Sequence, residues 1–169
     1  MANTFYKIAT VTVGSGGASS IDFSSIPSTY TDLCLKFSVR NSQAANSTQM
    51  FLKINSTDGT SIVLRGNGAT ASSFSDASLI ENGRATADSA TASTFSNGEF
   101  YIPNYTNATN KKSISSDVVS ENNGTTAYVE LTAGLSTSTS AITALSINFG
   151  GSGNFMQYSI ATLYGISNS

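Results

Sequence analysis

The chain has 169 residues, 39% of them hydrophobic and only 11% charged, with a net charge of −2 and no histidine. Eight Lys and Arg cannot build the basic stripe that neutralises phosphates, which excludes a nucleic-acid partner. The missing histidine removes the commonest general base, the Ser-His-Asp arrangement and most transition-metal sites. The length suits one domain spanning residues 1–169 with a real core. Ser and Thr make up roughly 30% of the chain, so the exterior is expected to be polar but mostly uncharged. Cys34 is the single cysteine, which leaves no intramolecular disulfide and no cysteine-based metal site. The start "MANTFYKIATVTV" lacks the basic opening and apolar run of a secretory signal, and no apolar run approaches the ~18 residues of a membrane helix. A product made in the cytoplasm with no membrane partner is the expectation.

In chain order, Phe5 to Val13 predicts a first strand, rich in β-branched and aromatic residues. "GSGGASS" at 14–20 is a turn and "IDF" at 21–23 resumes extended chain. The stretch 32–40 alternates: Leu33, Leu35, Phe37 and Val39 fall on one face, with Asp32, Cys34, Lys36, Ser38 and Arg40 on the other. "QMFLKIN" at 49–55 predicts a strand, "STDG" at 56–59 a hairpin turn, and "TSIVLRG" its partner. Residues 66–98 are small, polar and weakly patterned; short strands near Phe74 and Leu79 and a short helix over 84–92 both remain open. "EFYIPNY" at 99–105 and "KKSISSDVV" at 111–119 read as strands. "ENNG" at 121–124 is a turn across which "AYVELT" at 127–132 pairs. "AITALSINF" at 141–149 puts Leu145, Ile147 and Phe149 on one face, "GGSG" turns, and 154–166 reads as a long closing strand. About nine strands without sustained helical periodicity predict an all-β chain, an antiparallel β-sandwich of jelly-roll type.

No stretch carries a strong chemical motif. Glu99 and Glu130 lie in predicted strands and read as solvent-facing residues rather than as the carboxylate pair of a glycosidase. The glycine-rich pieces lack the helix and the Gly-Lys-Ser/Thr of a phosphate loop and read as turns. Asp76, Glu81 and Asp88 offer oxygen ligands for calcium, with surface solvation the simpler account. The Asn-x-Ser/Thr triplets at Asn46, Asn55, Asn104, Asn107 and Asn123 are about what chance gives in so Ser/Thr-rich a chain. Cys34 reads as an inert, partly buried thiol, facing either a second layer or a subunit. The seven Tyr and nine Phe read as core rather than as a sugar platform. No catalytic, cofactor-binding or metal residue is assigned, and no cofactor is expected.

Three segments taken in order carry a resemblance. "FSSIPSTYTDLCLKFSVR" at 23–40, "IVLRGNG" at 62–68 and "SIATLYGI" at 159–166 resemble blocks of small structural proteins of tailed bacteriophages, many from cyanophages and marine phages. Similar order and spacing extend over most of the chain, least over 70–98. The resemblance implies a non-enzymatic virion protein: a capsid decoration (cement) protein forming a homotrimer on the major capsid protein, or a tail fibre or baseplate component that touches host surface glycan; a carbohydrate-binding host-attachment module shares the sandwich fold and is the third reading. The Ser-, Asn- and Gly-rich loops at 41–48, 66–73 and 84–98 are the expected lattice contacts, with Phe5 and Tyr6 as a second anchor. Asp32 is expected to hold the backbone of the Ile-Pro-x-x-Tyr turn.

Overall fold

A computed structural model describes residues 4–67, 70–121 and 128–167. Among them there is no helix, and twelve strands form two antiparallel sheets. The first strands are β1 (Phe5–Thr12), β2 (Ser20–Phe23), β3 (Asp32–Val39), β4 (Ser47–Ile54), β5 (Gly59–Asn67) and β6 (Thr70–Asp76). They are followed by β7 (Ile80–Thr86), β8 (Ser96–Ile102), β9 (Ser113–Ser120), β10 (Tyr128–Ser136), β11 (Leu145–Asn148) and β12 (Ile160–Ile166). The large sheet runs β1-β12-β3-β8-β9-β10-β5-β6, and the small one β2-β11-β4-β7.

The core lies between the sheets. β3 contributes Leu33, Leu35, Phe37 and Val39, all buried as the alternation predicts, and β12 adds Ala161 and Leu163. From the small sheet come Ile21, Phe23, Met50, Leu52, Ile54 and Ile147. β4 alternates without a break, its even-numbered positions buried and its odd ones half-exposed, so one sheet face closes the core and the other meets solvent. β9 and β10 alternate equally strictly, but many of the buried positions in these two strands are polar.

Several expectations need correction. β5 is not the hairpin partner of β4: it pairs with β10 and β6, while β4 pairs with β11 and β7. The turn between them closes on Ile54 and Thr57, with Asn55 and Ser56 both at positive φ, and passes the chain to the other sheet. No helix occupies 84–92. Residues 80–86 are β7, buried on both faces, and 87–95 form a loop. The closing strand begins at Ile160, because Tyr158 takes a φ of 71° and Ser159 N–H bonds back to Met156 O, while Phe155 only bridges Ala18 and Asn41. Gly66 and Asn67 belong to β5 and 70–73 to β6, so 66–73 is no simple loop. The expected turn at 121–124 lies, beyond Glu121, outside the described residues.

Two of the three segments quoted for the family resemblance, 23–40 and 159–166, meet in space, while 62–67 lies in β5 between β10 and β6. The Tyr30 ring packs on Gly165 of β12, and Tyr6 stacks on Tyr30 with centroids 5.6 Å apart. Tyr105 donates its hydroxyl hydrogen to Pro27 O. Asp32 bonds across to β8 and the turn that follows it. Its carboxylate accepts from Asn104 N–H at 2.8 Å and from the Tyr101 hydroxyl, tying β3 to the turn after β8. Arg40, at the end of the same block, is buried without a carboxylate partner among the described residues. Its guanidinium donates to the carbonyls of Asp88, Ala90, Thr91 and Thr94 and so fixes the 87–95 loop.

Candidate functional site

The large sheet presents an apolar outer face over β9, β10 and β5. Register places Leu64 opposite Leu131, Val129 opposite Val119, and Ile62 opposite Ala133. With Leu135 this gives six large apolar side chains 42–62% exposed on one face. Their exposed area is on the order of 500 Å², in the upper part of the range for the largest patch on a typical monomer, and such patches often mark contact surfaces. Serines of β6 and β9, such as Ser73, Ser75 and Ser115, flank it. At its β8 side the face turns charged: Lys36 and Glu99 pair at 2.5 Å beside Asp117.

Behind this face, on the core side, sits a buried ionic cluster. Arg65 of β5 donates through Nε to Glu130 of β10 and through Nη2 to Glu81 of β7 at 2.7 Å, and Arg84 Nε lies 3.5 Å from Glu130. Burial pushes the Glu130 carboxyl above its ordinary range, against the opposing pull of Arg65. The cluster ties β7 of the small sheet to β5 and β10. Nearby strand positions carry further buried polar groups without hydrogen-bond partners among the described residues: both ends of the Asn82 amide and the hydroxyls of Ser116, Ser120 and Thr132. β6 carries Phe74 on its core side, where the ring is still 45% exposed and Arg65 lies 4.5 Å from its centroid.

On the opposite side of the molecule, the outer face of the small sheet holds a groove of about 450 Å³. β4 supplies Gln49, Phe51 and Lys53, β7 supplies Arg84, β11 supplies Asn148, and Gln43 closes one end. No Asp or Glu lines it.

Glu99 and Glu130 do not form a pair: Glu99 stands on the outer face of the large sheet and Glu130 is buried on the inner one. Glu130 is therefore not the solvent-facing residue that the sequence suggests. Asp76 accepts from Ser78 N–H, Ser78 Oγ and Leu79 N–H, which lowers its pKa, and Glu81 is held by Arg65. Among the described residues no three of Cys, Asp or Glu cluster as metal ligands. Cys34 is buried, and burial pushes its thiol up to about 11. The 41–48 and 87–95 segments bond to one another, through Asp88 N–H to Gln43 O and Ser89 N–H to Ala45 O. Phe5 packs edge-on against Tyr164 and remains half-exposed. The apolar face was missed in the sequence because "SIVLRG" reads equally well as a strand with Val63 in the core and as one with Ile62 and Leu64 there. The groove carries no sequence signal, since its residues come from distant strands.

No protein family, curated protein or solved structure matches the chain.

Proposed function

We propose that the chain is a non-enzymatic structural subunit of a tailed-bacteriophage virion, most specifically a head decoration (cement) protein that works as a homotrimer on the major capsid protein. The observation that carries this reading is the apolar outer face of β9, β10 and β5. A standard interface needs about 800 Å² per partner. The patch supplies the apolar centre of such an interface and the surrounding Ser and Thr its polar rim. The low charge of the chain keeps subunit contacts free of strong repulsion. The threefold comes from the resemblance of residues 23–40, 62–68 and 159–166 to phage structural proteins.

Strand order supports a jelly-roll β-sandwich. In that fold the first, eighth, third and sixth strands share one sheet, and the second, seventh, fourth and fifth the other. β2-β11-β4-β7 has the first order. β3, then the β8-β9-β10 meander in the seventh place, then β5 and β6 has the second, with β1 and β12 added beside β3. Glu99 and Glu130 on opposite sheet faces support the absence of hydrolysis.

Copy number in purified particles tests the placement. A quantified protein gel should show hundreds of copies per virion. A few to a few dozen would move the protein to the tail, and none would remove it from the particle.

A further inference from the structure

We propose that the groove on the outer face of the small sheet is a binding site for an acidic saccharide. Two of the amide side chains that line it are held so that their free ends are N–H donors. Thr48 Oγ1 donates to Gln43 Oε1 at 2.9 Å, which leaves the Gln43 amide nitrogen without a partner among the described residues. Gly150 N–H donates to Asn148 Oδ1 at 2.9 Å, which leaves the Asn148 nitrogen likewise without one among them. Arg84 is shared with the buried cluster: its Nη1 makes one long contact, 3.3 Å, to Ser47 Oγ, its Nε lies 3.5 Å from Glu130 and its guanidinium lies over the Tyr128 ring, while Lys53 stands 3.6 Å from Asp58. The Gln49 amide bonds to no other described residue and lies between these donors on β4.

A lining rich in donors and without a carboxylate of its own suits a ligand rich in acceptors and negatively charged, which competes with Asp58 and Glu130 for the two cations. Two of the chain's eight cationic residues line this one groove. The ligand must also have an apolar side, because Phe51 lines the groove half-buried and Gly150, at φ 60°, lies so close that a Cβ there would come 3.1 Å from the ring. A pyranose with a carboxylate or sulfate meets both demands: its C–H face covers an aromatic ring and its oxygens accept from the amides. The volume falls within the range of ordinary ligand sites, ~300–1,000 Å³. Because the groove faces away from the apolar patch, it stays open when that patch is covered, and the site does not depend on the assembly proposed above.

The test titrates the intact protein with hexagalacturonate, its methyl-esterified form, sialyllactose, a sulfated galactan oligomer and poly-glutamate, read by calorimetry. The oligomeric state is checked on the same samples by light scattering. At least one acidic saccharide should bind, at least tenfold more tightly than the neutral ester. Gln49→Glu and Lys53→Glu, both on the solvent side of β4, should each weaken it at least tenfold with the circular dichroism spectrum unchanged. Binding that survives both variants, binding of poly-glutamate alone, or binding of none of the probes would overturn the proposal. Loss of the oligomer with saccharide binding intact would count against the assembly reading only.

Discussion

Tyr30 lies against Gly165 so closely that a Cβ added to the glycine would fall 2.1 Å from the ring. The contact joins the Ile-Pro-x-x-Tyr turn to the closing Leu-Tyr-Gly strand. It explains why the chain carries a tyrosine in one block and a glycine in the other. The aromatic stack continues to Tyr6, so β1 is fastened by the same ring.

Gly165→Ala should therefore destabilise the fold by at least the ~1–3 kcal/mol typical of overpacking. The obstacle is ring carbon, wedged between Tyr6 and β12. Urea unfolding of the variant checks this: a midpoint equal to that of the parent would mean that Tyr30 swings aside at no cost.

Phe37→Ala removes a 5% exposed ring that packs 5.3 Å from Phe100. A loss on the order of 3–5 kcal/mol is expected, since both sheets close over the cavity it leaves. The check is the same unfolding measurement, with an unchanged slope against denaturant.

Much of this core was legible in the chain itself. β3, β9 and β10 alternate, and residues 33, 35, 37 and 39 point inward as period two demands. β7 was not legible because "IENGRAT" is buried on both faces, with charges and an asparagine inside. Its bulge opposite β4, where Gly83 takes a φ of 97° against Val118, breaks the period as well. β6, "TASSFSD", has a single large side chain and no alternation to find. The β4–β5 hairpin misled because a short turn between two apolar runs looks the same whether the second strand pairs with the first or crosses to the other sheet. The groove and the apolar face depend on sheet order, which local pattern does not carry.

Arg65→Met should cost on the order of 3–5 kcal/mol, because it takes the cation from buried Glu81 and leaves Glu130 only the longer contact to Arg84. Thermal or urea unfolding at neutral pH reads the loss, and a change below about 1 kcal/mol would show that the cluster rearranges without cost.

The same cluster sets a pH dependence. Burial raises the folded-state pKa of Glu130 above 4.5, so the folded chain binds this proton more tightly than the unfolded one. Its contribution is full below the unfolded value and is lost as pH rises through the raised folded value. Over that window the stability difference between the parent and Glu130→Gln should shift against the parent as pH rises. Parallel stability curves for the two proteins would mean that Arg65 fully offsets the desolvation of the carboxylate.

The most direct measurement of the account's central claim is sedimentation equilibrium of the purified chain and of Leu64→Lys/Leu131→Lys. These two residues face solvent at the centre of the apolar patch. The parent should sediment near three times its 17.5 kDa. The double variant should sediment as a folded monomer. A parent that stays monomeric at tens of micromolar, or a trimer that persists with two lysines in that face, would contradict assembly through β9, β10 and β5.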